Sequence, residues 1–307
     1  MTEQSSNLDR RIVEAVDRMP AFPKSVQRIL ELTRDIRCQP KDLVGVIEKD
    51  PVITVKILRV LNSAYYGLPQ KINSVNYAVV YLGFNTIKNL ALSIAAIGAL
   101  PANNKAGIDI HRYLFHSLAT AGVARQLCSK IGGELDPMDC HIAGLLHDFG
   151  RVVFAQFMPV EFKAAQMLHL EHGMALSKAE QQIVGTDHAM VGAMLARKWQ
   201  FPDTLAECIR LHHAGGAEHS TMSAIVYAAN LIGDTLSPAP DGGQGSEDED
   251  VERSDDEDEF SAALAERLPP GVAALCGGSL EEVTESLGDL SKVVEEATLF
   301  SKIGDGK

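Results

Sequence analysis

The chain has 307 residues, of which 46% are hydrophobic and 22% are charged, so it is long enough to bury one or two cores. Its net charge of −13 is concentrated in residues 241–259, where eleven acidic residues and one arginine contribute −10 and leave −3 for the rest. Because the sequence also contains no run of Lys and Arg, we do not expect a nucleic-acid-binding surface.

The apolar stretches and the cysteines indicate the compartment. The most apolar window, Ala91–Leu100, is about half as long as the roughly 20 residues that a membrane helix needs, and no signal peptide is apparent. The five cysteines are scattered without a CxxC pair, which suits a reducing environment. We therefore expect a cytoplasmic protein with no membrane-spanning segment.

Helical periodicity dominates the N-terminal third of the chain, where apolar residues recur at three-to-four spacing. Asp50-Pro51 should begin a new helix, because proline is tolerated in the first helical turn. Ser74 is a candidate N-cap for another. The spacing predicts helices over residues 26–32, 43–47, 52–61, 74–82 and 87–100, with an interruption at 83–86. We predict an N-terminal helical subdomain over 19–106, preceded by a short lead-in over 1–18.

A second helical block, residues 107–236, contains most of the histidines. Residues 237–259 are rich in Pro, Gly, Ser and acidic residues, which predicts a disordered insert. After it, Ser279-Leu280-Glu281-Glu282 has the pattern of a capping box and begins a C-terminal helical segment within 260–307. The apolar stripe of that segment either packs on its own domain or forms the seam of a homodimer.

The histidines of the second block are the candidate functional residues. His116 lies in an apolar helix, and His147-Asp148 ends another that reaches Gly150. Adjacent residues of a helix point about 100° apart, so the imidazole and the carboxylate of this pair could both reach one ion. Such a donor set suits Mn, Fe, Zn or Ni. The alternative interpretation is a scaffold pair that orients neighbouring helices through hydrogen bonds.

At these positions the chain resembles the HD superfamily of metal-dependent phosphohydrolases, whose ligand set is an early His, a His-Asp pair and a distal Asp. The matching residues are His116, His147, Asp148 and Asn230. Asn230 departs from the pattern, because a neutral amide oxygen replaces an anionic carboxylate. Asp234, one turn later, is a possible substitute.

The fuller resemblance is to the HDOD branch of that superfamily and covers roughly residues 19–236. It rests on VIEKDPVITVKILRVLNSAYYGLP in the N-terminal half, and on AGLLHDFGRVVF and GTDHAMVGAMLARKWQF in the second block. The resemblance implies an all-α fold in which the N-terminal subdomain packs on an HD-like helical bundle. It also implies that His188, His212 and His213 could complete a second metal position.

The function that the resemblance implies is a bacterial signalling output module, which acts through protein or small-ligand binding and has no catalytic residues of its own. We expect a signalling protein as its partner. The alternative is a divalent-metal phosphohydrolase acting on a nucleotide or cyclic dinucleotide. Three features count against the alternative: Asn230, Arg151 where active relatives carry Lys, and no Gly-Tyr-Pro motif after the paired histidines. A DNA regulator is a remote third possibility.

Overall fold

A computed structural model describes residues 3–21, 24–34, 37–63, 66, 68, 70–98, 100, 106–214, 220–237 and 268–302. Within these ranges all regular elements are helices, which confirms the predicted all-α class. The acidic segment 241–259, predicted to be disordered, lies outside them. Among the described helices, none combines the length and the apolar character needed to cross a membrane.

The N-terminal subdomain is built around an aliphatic core. Its helices are α1 (Glu3–Arg18), α2 (Lys24–Arg34), α3 (Pro40–Ile47), α4 (Pro51–Leu61), α5 (Val75–Leu82) and α6 (Phe84–Gly98). Helices α2 to α6 pack against one another, and Ile47, Ile57 and Ile87 are fully buried between them. The predicted cap of α5 is confirmed, because the Ser74 hydroxyl accepts a hydrogen bond from the backbone N–H of Tyr77 at 3.1 Å.

The predicted interruption at residues 83–86 is shorter in the structure. Gly83 alone separates α5 from α6, with a φ of 87° that favours glycine. Its N–H donates to the carbonyl of Val79, which completes the end of α5. Because this single residue turns the chain, α6 begins at Phe84 and ends at Gly98, and the predicted bounds of 87–100 were wrong by two to three residues.

In its described residues the second block has eight helices, one of them long and central. They are α7 (Ile110–Ile131), α8 (Pro137–Leu146), α9 (Phe149–Phe157), α10 (Pro159–His172), α11 (Leu176–Val184), α12 (His188–Lys198), α13 (Asp203–Leu211) and α14 (Thr221–Leu236). Helix α7 is the centre and packs against α8 and α14, while α12 packs against α9 and α13. These contacts bring the end of α8, the starts of α9 and α12, and the end of α13 close to α7 and α14.

Three short helices complete the described chain: α15 (Pro270–Cys276), α16 (Leu280–Leu287) and α17 (Ser291–Ser301). The predicted capping box is present, since the backbone N–H of Ser279 donates to Glu282 at 2.7 Å and the Ser279 hydroxyl accepts in return at 3.2 Å. Helix α17 packs along α7 and buries Ala297 there. The apolar stripe of this segment therefore packs on its own chain.

The N-terminal subdomain packs on the second block through α6, which contacts α8, and through α1, which contacts α9 and α12. Lys198 at the end of α12 fixes the end of α1, because its ammonium donates to the carbonyls of Val16, Asp17 and Met19 at 2.8, 2.6 and 2.9 Å. Residues 3–18 of the predicted lead-in thus form a helix held against the block that carries the histidines.

Candidate metal centre

The structure brings all seven predicted site residues together. His116 lies on α7, the pair His147-Asp148 joins α8 to α9, His188 begins α12, the pair His212-His213 follows α13, and Asn230 lies on α14. Two groups of donor atoms have all members within 4.8 Å of one another: His116, His147 and Asp148, and Asp148, His188, His212 and His213. We call the first group, with Asn230, the His116 half and the second the His188 half. Asp148 belongs to both.

The His147-Asp148 pair does not share a helix face as the sequence suggested. Helix α8 ends at Leu146 and α9 begins at Phe149, so the pair forms the turn between them. The 100° separation expected for adjacent side chains on one helix therefore does not describe this pair. Within this turn the Nε2 atom of His147 lies 3.5 Å from Oδ1 of Asp148.

Glycines at two helix crossings allow this convergence. A Cβ on Gly150 would lie 1.9 Å from the carbonyl oxygen of His188, so α9 and α12 can approach this closely only with glycine there. A Cβ on Gly144 would lie 2.9 Å from the Cα of Ala121, which applies the same restriction to α8 and α7. From sequence, Gly150 indicated a helix end. Its packing role depends on a contact about 40 residues away, which no local pattern reveals.

Three of the imidazoles are oriented by acceptors at their Nδ1 atoms. His147 Nδ1 donates to the Gly144 carbonyl at 2.7 Å and His212 Nδ1 donates to the Ile209 carbonyl at 2.6 Å. His188 Nδ1 lies 2.6 Å from a carboxylate oxygen of Glu180. Because these oxygens only accept, the Nδ1 atoms carry hydrogens, so each Nε2 atom presents a lone pair to the cluster whenever its ring is neutral, as in metal-binding histidines.

The donor set fits a divalent transition-metal ion. Oδ1 of Asp148 lies 3.1 Å from Nε2 of His188 and 3.5 Å from Nε2 of His212. The His212 Nε2 atom is buried and has no hydrogen-bond partner. A lone pair on His212 directed at this carboxylate repels it unless a proton or a metal ion lies between them, and imidazole nitrogens with one carboxylate oxygen suit Zn, Fe, Ni or Mn.

The charges around the cluster set the protonation states of its residues. Burial lowers the pKa of His147 to about 3, so this ring is neutral. Burial opposes the ionisation of Asp148, but His147 and Arg151 hold its pKa well below the usual range. Burial also opposes a charge on His188, but Glu180 and Asp148 raise its pKa to about 10. A proton on His188 is therefore the cation that competes with a metal ion.

Arg151 and Asp234 contact the cluster from its edge. Arg151 Nη1 donates to Oδ2 of Asp148 at 2.6 Å, so a guanidinium already neutralises this oxygen. Asp234 lies 3.2 Å from Nδ1 of His116, whereas Nε2 of that ring faces the cluster at 3.0 Å from Oδ1 of Asn230. Asp234 thus lies on the opposite side of the ring and does not replace Asn230 beside the same ion.

Two residues of the site were missed from sequence. Glu180 on α11 is fully buried, and one of its oxygens accepts from both Nδ1 and the backbone N–H of His188. Tyr113 lies one turn before His116 on α7, and burial raises the pKa of its phenol. The three-residue spacing of Tyr113 and His116 was a usable signal for a shared helix face. No local pattern pointed to Glu180, which reaches His188 only through the tertiary fold.

The comparisons with known proteins were consistent in fold and family. The family model described as HDOD domain matches residues 19–215. A crystal structure of an HDOD domain protein of unknown function from Geobacter sulfurreducens is 26% identical, covers 98% of this chain and 97% of its own, and has a TM-score of 0.72.

Two further crystal structures share the fold at 22% identity and a TM-score of 0.68. One is a candidate phosphohydrolase from Shewanella amazonensis, which covers 95% of this chain and 97% of its own. The other is a candidate signal transduction protein from Marinobacter aquaeolei, which covers 96% of this chain and 66% of its own.

Among curated relatives, an uncharacterized protein of Treponema pallidum is 26% identical over 232 residues, or 74% of this chain. The chain spans less than half of that relative, 44% of its length. The family model, in contrast, covers well over half of the present sequence, including both the N-terminal subdomain and the first six cluster residues. The chain therefore belongs to the HDOD domain family.

Proposed function

We propose that this chain is a regulatory HDOD module of the cytoplasm, which binds a divalent transition-metal ion in its His/Asp cluster and does not hydrolyse phosphate esters. The observation that carries the proposal is the ion pair between Arg151 Nη1 and Oδ2 of Asp148 at 2.6 Å. A catalytic metal site keeps an open coordination position and a charge to drive water towards a substrate. Here a guanidinium takes one oxygen of the shared carboxylate, and the neutral Asn230 replaces an anionic ligand.

The regulatory part of the proposal rests on the family and on its relatives. The Marinobacter aquaeolei protein is named as a candidate signal transduction protein, and the Geobacter sulfurreducens HDOD protein has no known function. In this chain the metal ion would tie α7, α9, α12 and α13 together at one point. A signalling protein that contacts these helices would then read whether the cluster is loaded.

The donor chemistry favours Zn, Fe or Ni as the ion, with Mn also compatible. Imidazole nitrogens outnumber carboxylate oxygens in the cluster, and nitrogen ligands select these metals over Mg and Ca. Three of the histidines have their second ring nitrogen fixed by a protein acceptor, which raises ligand basicity and holds the ring orientation.

A metal-dependent phosphohydrolase is the second candidate function. It is favoured by the exposed position of His213, which gives the cluster access to solvent, and by the Shewanella amazonensis relative, which is named as a candidate phosphohydrolase. A bound divalent ion would supply Lewis-acid chemistry and lower the pKa of water. Arg151, which lies beside Asp148, would then contact the phosphate group of a nucleotide or cyclic dinucleotide.

One experiment separates the two functions. The protein is loaded with Zn, Fe, Mn or Ni in turn and assayed against bis(p-nitrophenyl) phosphate and a cyclic dinucleotide. Asp148→Asn serves as the matched control, because it removes the shared carboxylate charge and keeps the side-chain size. We expect wild type and Asp148→Asn to show the same background rate. Turnover that requires both metal and Asp148 would establish the phosphohydrolase instead.

A further inference from the structure

A polar cleft lies where the N-terminal subdomain packs on the second block, apart from both the His116 half and the His188 half of the cluster. Its volume is about 580 Å³, and it is lined by the first turn of α6, the last two turns of α7 and the first turn of α8. Ligand sites in proteins commonly have volumes of about 300–1,000 Å³ and favour such junctions. We infer that this cleft, called here the α6–α8 cleft, binds a small phosphate-bearing molecule through Arg125 and Lys130.

The α6–α8 cleft and the metal cluster lie towards different ends of the same two helices. On α7, Arg125 follows His116 by nine residues, which corresponds to about 13 Å along the helix axis. On α8, the cleft is lined by Pro137 at the first helical position, whereas His147 follows the last one. None of the described residues that line the cleft belongs to the cluster. The inference therefore does not depend on metal binding.

The two cations of α7 retain capacity to bind an anion. The Lys130 ammonium donates to the carbonyl of Ser286, and two of its three hydrogens remain after this bond. Nη2 of Arg125 lies 3.7 Å from a carboxylate oxygen of Glu296, which is longer than the about 2.7–2.9 Å of a charge-assisted hydrogen bond. Both members of this ion pair are partly exposed, so the pair is weak. A phosphate group matches the fork of the guanidinium and would bind it more closely.

The described lining of the cleft carries two cations and one carboxylate, and the carboxylate caps a helix. Asp136 is the N-cap of α8, where its Oδ1 accepts from the backbone N–H of Met138 at 2.8 Å. Its charge is therefore partly offset by the positive end of α8. Helix α6 also begins at the cleft, with Asn85 and Thr86 in the lining, and the positive end of its dipole adds to the attraction for an anion.

A third cation lies next to the cleft. Lys88 follows Asn85 by one helical turn and is 3% exposed, and the described residues give its ammonium no hydrogen bond and no ion pair. Burial lowers the pKa of Lys88, although Asp136 and Asp139 act in the opposite direction. A buried ammonium without a hydrogen bond costs free energy. An anion in the neighbouring cleft would reduce this cost.

The size of the cleft and its uncharged lining favour a nucleotide-sized molecule over a lone ion. A single phosphate group would fill only part of the volume. Beside the cations, the cleft presents amide and hydroxyl side chains, which both donate and accept hydrogen bonds as a sugar or a base requires: Asn85, Thr86, Gln126 and Ser129. A molecule bound here would contact α6 and α7 at once, and would thereby hold the N-terminal subdomain on the second block.

Binding of phosphate probes to chelator-treated protein tests this inference. Inorganic phosphate, pyrophosphate and adenosine monophosphate are titrated by calorimetry into wild type, Arg125→Gln and Lys130→Gln. The matched control is Lys163→Gln, which removes an exposed cation of α10. We expect adenosine monophosphate to bind most tightly, and each cleft variant to bind it roughly tenfold more weakly or worse, since hydrogen bonds to charged groups are lost. Lys163→Gln should bind as wild type does. Circular dichroism confirms folding of each variant.

Nuclear magnetic resonance of wild type keeps the inference falsifiable if a variant does not fold. The backbone amide signals of Asn85 and Gln126 should move during the titration, and that of Asp148 should not. Shifts confined to the cluster, or weaker binding in Arg151→Gln but not in Arg125→Gln, would place the anion at the cluster and overturn the inference. Equal weakening in Lys163→Gln, or no binding of any probe, would overturn it as well. Because a chelator is present throughout, these outcomes leave the proposed metal binding untouched.

Discussion

The two halves of the molecule bury different kinds of side chain. In the described part of residues 24–100, Lys88 and Ser93 are the buried polar side chains, whereas between residues 116 and 230 there are twelve, including the buried members of the cluster. Both halves expose large apolar side chains, such as Val52 and Val80 on α4 and α5, and Val160 and Leu170 on α10. The difference indicates that aliphatic burial accounts for most of the N-terminal subdomain, whereas the second block must also satisfy buried polar and ionisable groups.

The largest effect should come from Gly150→Ala, which tests the dependence on helix spacing. The added Cβ would lie 1.9 Å from the carbonyl oxygen of His188, and a backbone atom cannot move aside as a flexible side chain can. We expect unfolding to become easier by about 3 kcal/mol or more, at the upper end of the range for overpacking. Chemical denaturation measures this change.

The matched control for this substitution is Gly45→Ala in α3, where no atom lies within 4 Å of the added Cβ. Alanine is favoured over glycine inside a helix, so we expect stabilisation of roughly 0.5–1 kcal/mol at this position. If Gly150→Ala were as harmless as Gly45→Ala, the close crossing of α9 and α12 would not limit the position of the cluster.

Metal removal should have the next largest effect. A ligand that binds only the folded state stabilises it by about 2.7 kcal/mol when its free concentration is 100 times its dissociation constant. We therefore expect chelation to lower the melting temperature of wild type and to leave that of Asp148→Asn unchanged. Equal shifts in the two proteins, measured by differential scanning calorimetry, would place the metal effect outside the cluster.

Much of the fold could be predicted from the sequence, because its helices carry local signals. Ser74 and the Ser279 capping box lie where their spacing predicted, and Asp50-Pro51 begins α4 as expected. The His-Asp pair was assigned to a helix because the apolar residues before it continue past it. The helix instead ends at Leu146, and the close approach of Gly150 to α12 beyond this turn is a tertiary contact that no local pattern encodes.

The candidate site was predictable as a set of residues but not as an arrangement. The superfamily pattern identified the seven residues, and the structure places them together. The pairing of Arg151 with Asp148, the tautomers set by backbone carbonyls and the role of Glu180 all depend on atoms brought close by packing. No sequence period encodes which oxygen of a carboxylate faces which ring, so the arrangement of the cluster becomes visible only in three dimensions.

Acidification should destabilise the second block by a smaller amount, because it protonates the buried ring of His141. Burial lowers the pKa of this α8 histidine to about 3, against about 6.5 in an unfolded chain. Its contribution to stability is therefore complete above pH 6.5 and is lost as the pH falls towards 3. At pH 5 the loss amounts to about 2 kcal/mol. His141→Gln, which does not titrate, should show a correspondingly shallower loss between pH 7 and 5 in urea denaturation.

The control for that experiment is His172→Gln, which removes an imidazole at an exposed position at the end of α10. Each variant is compared with wild type at pH 7 and pH 5 in the presence of a chelator, so that metal release does not contribute. An identical pH dependence in wild type and His141→Gln would mean that the unfolding free energy does not register the burial of this ring.

The smallest effect is expected on the exposed face of α5, where neighbouring positions differ mainly in burial. Val80 is 76% exposed and Val79 is 5% exposed. Val80→Ala should change the unfolding free energy by no more than about 0.5 kcal/mol, since surface substitutions rarely do more and alanine favours the helix. Val79→Ala removes two buried methyl groups and should cost about 2 kcal/mol. Chemical denaturation of both variants gives the difference directly. A cost at Val80 similar to that at Val79 would mean that another surface covers this face of α5 in solution.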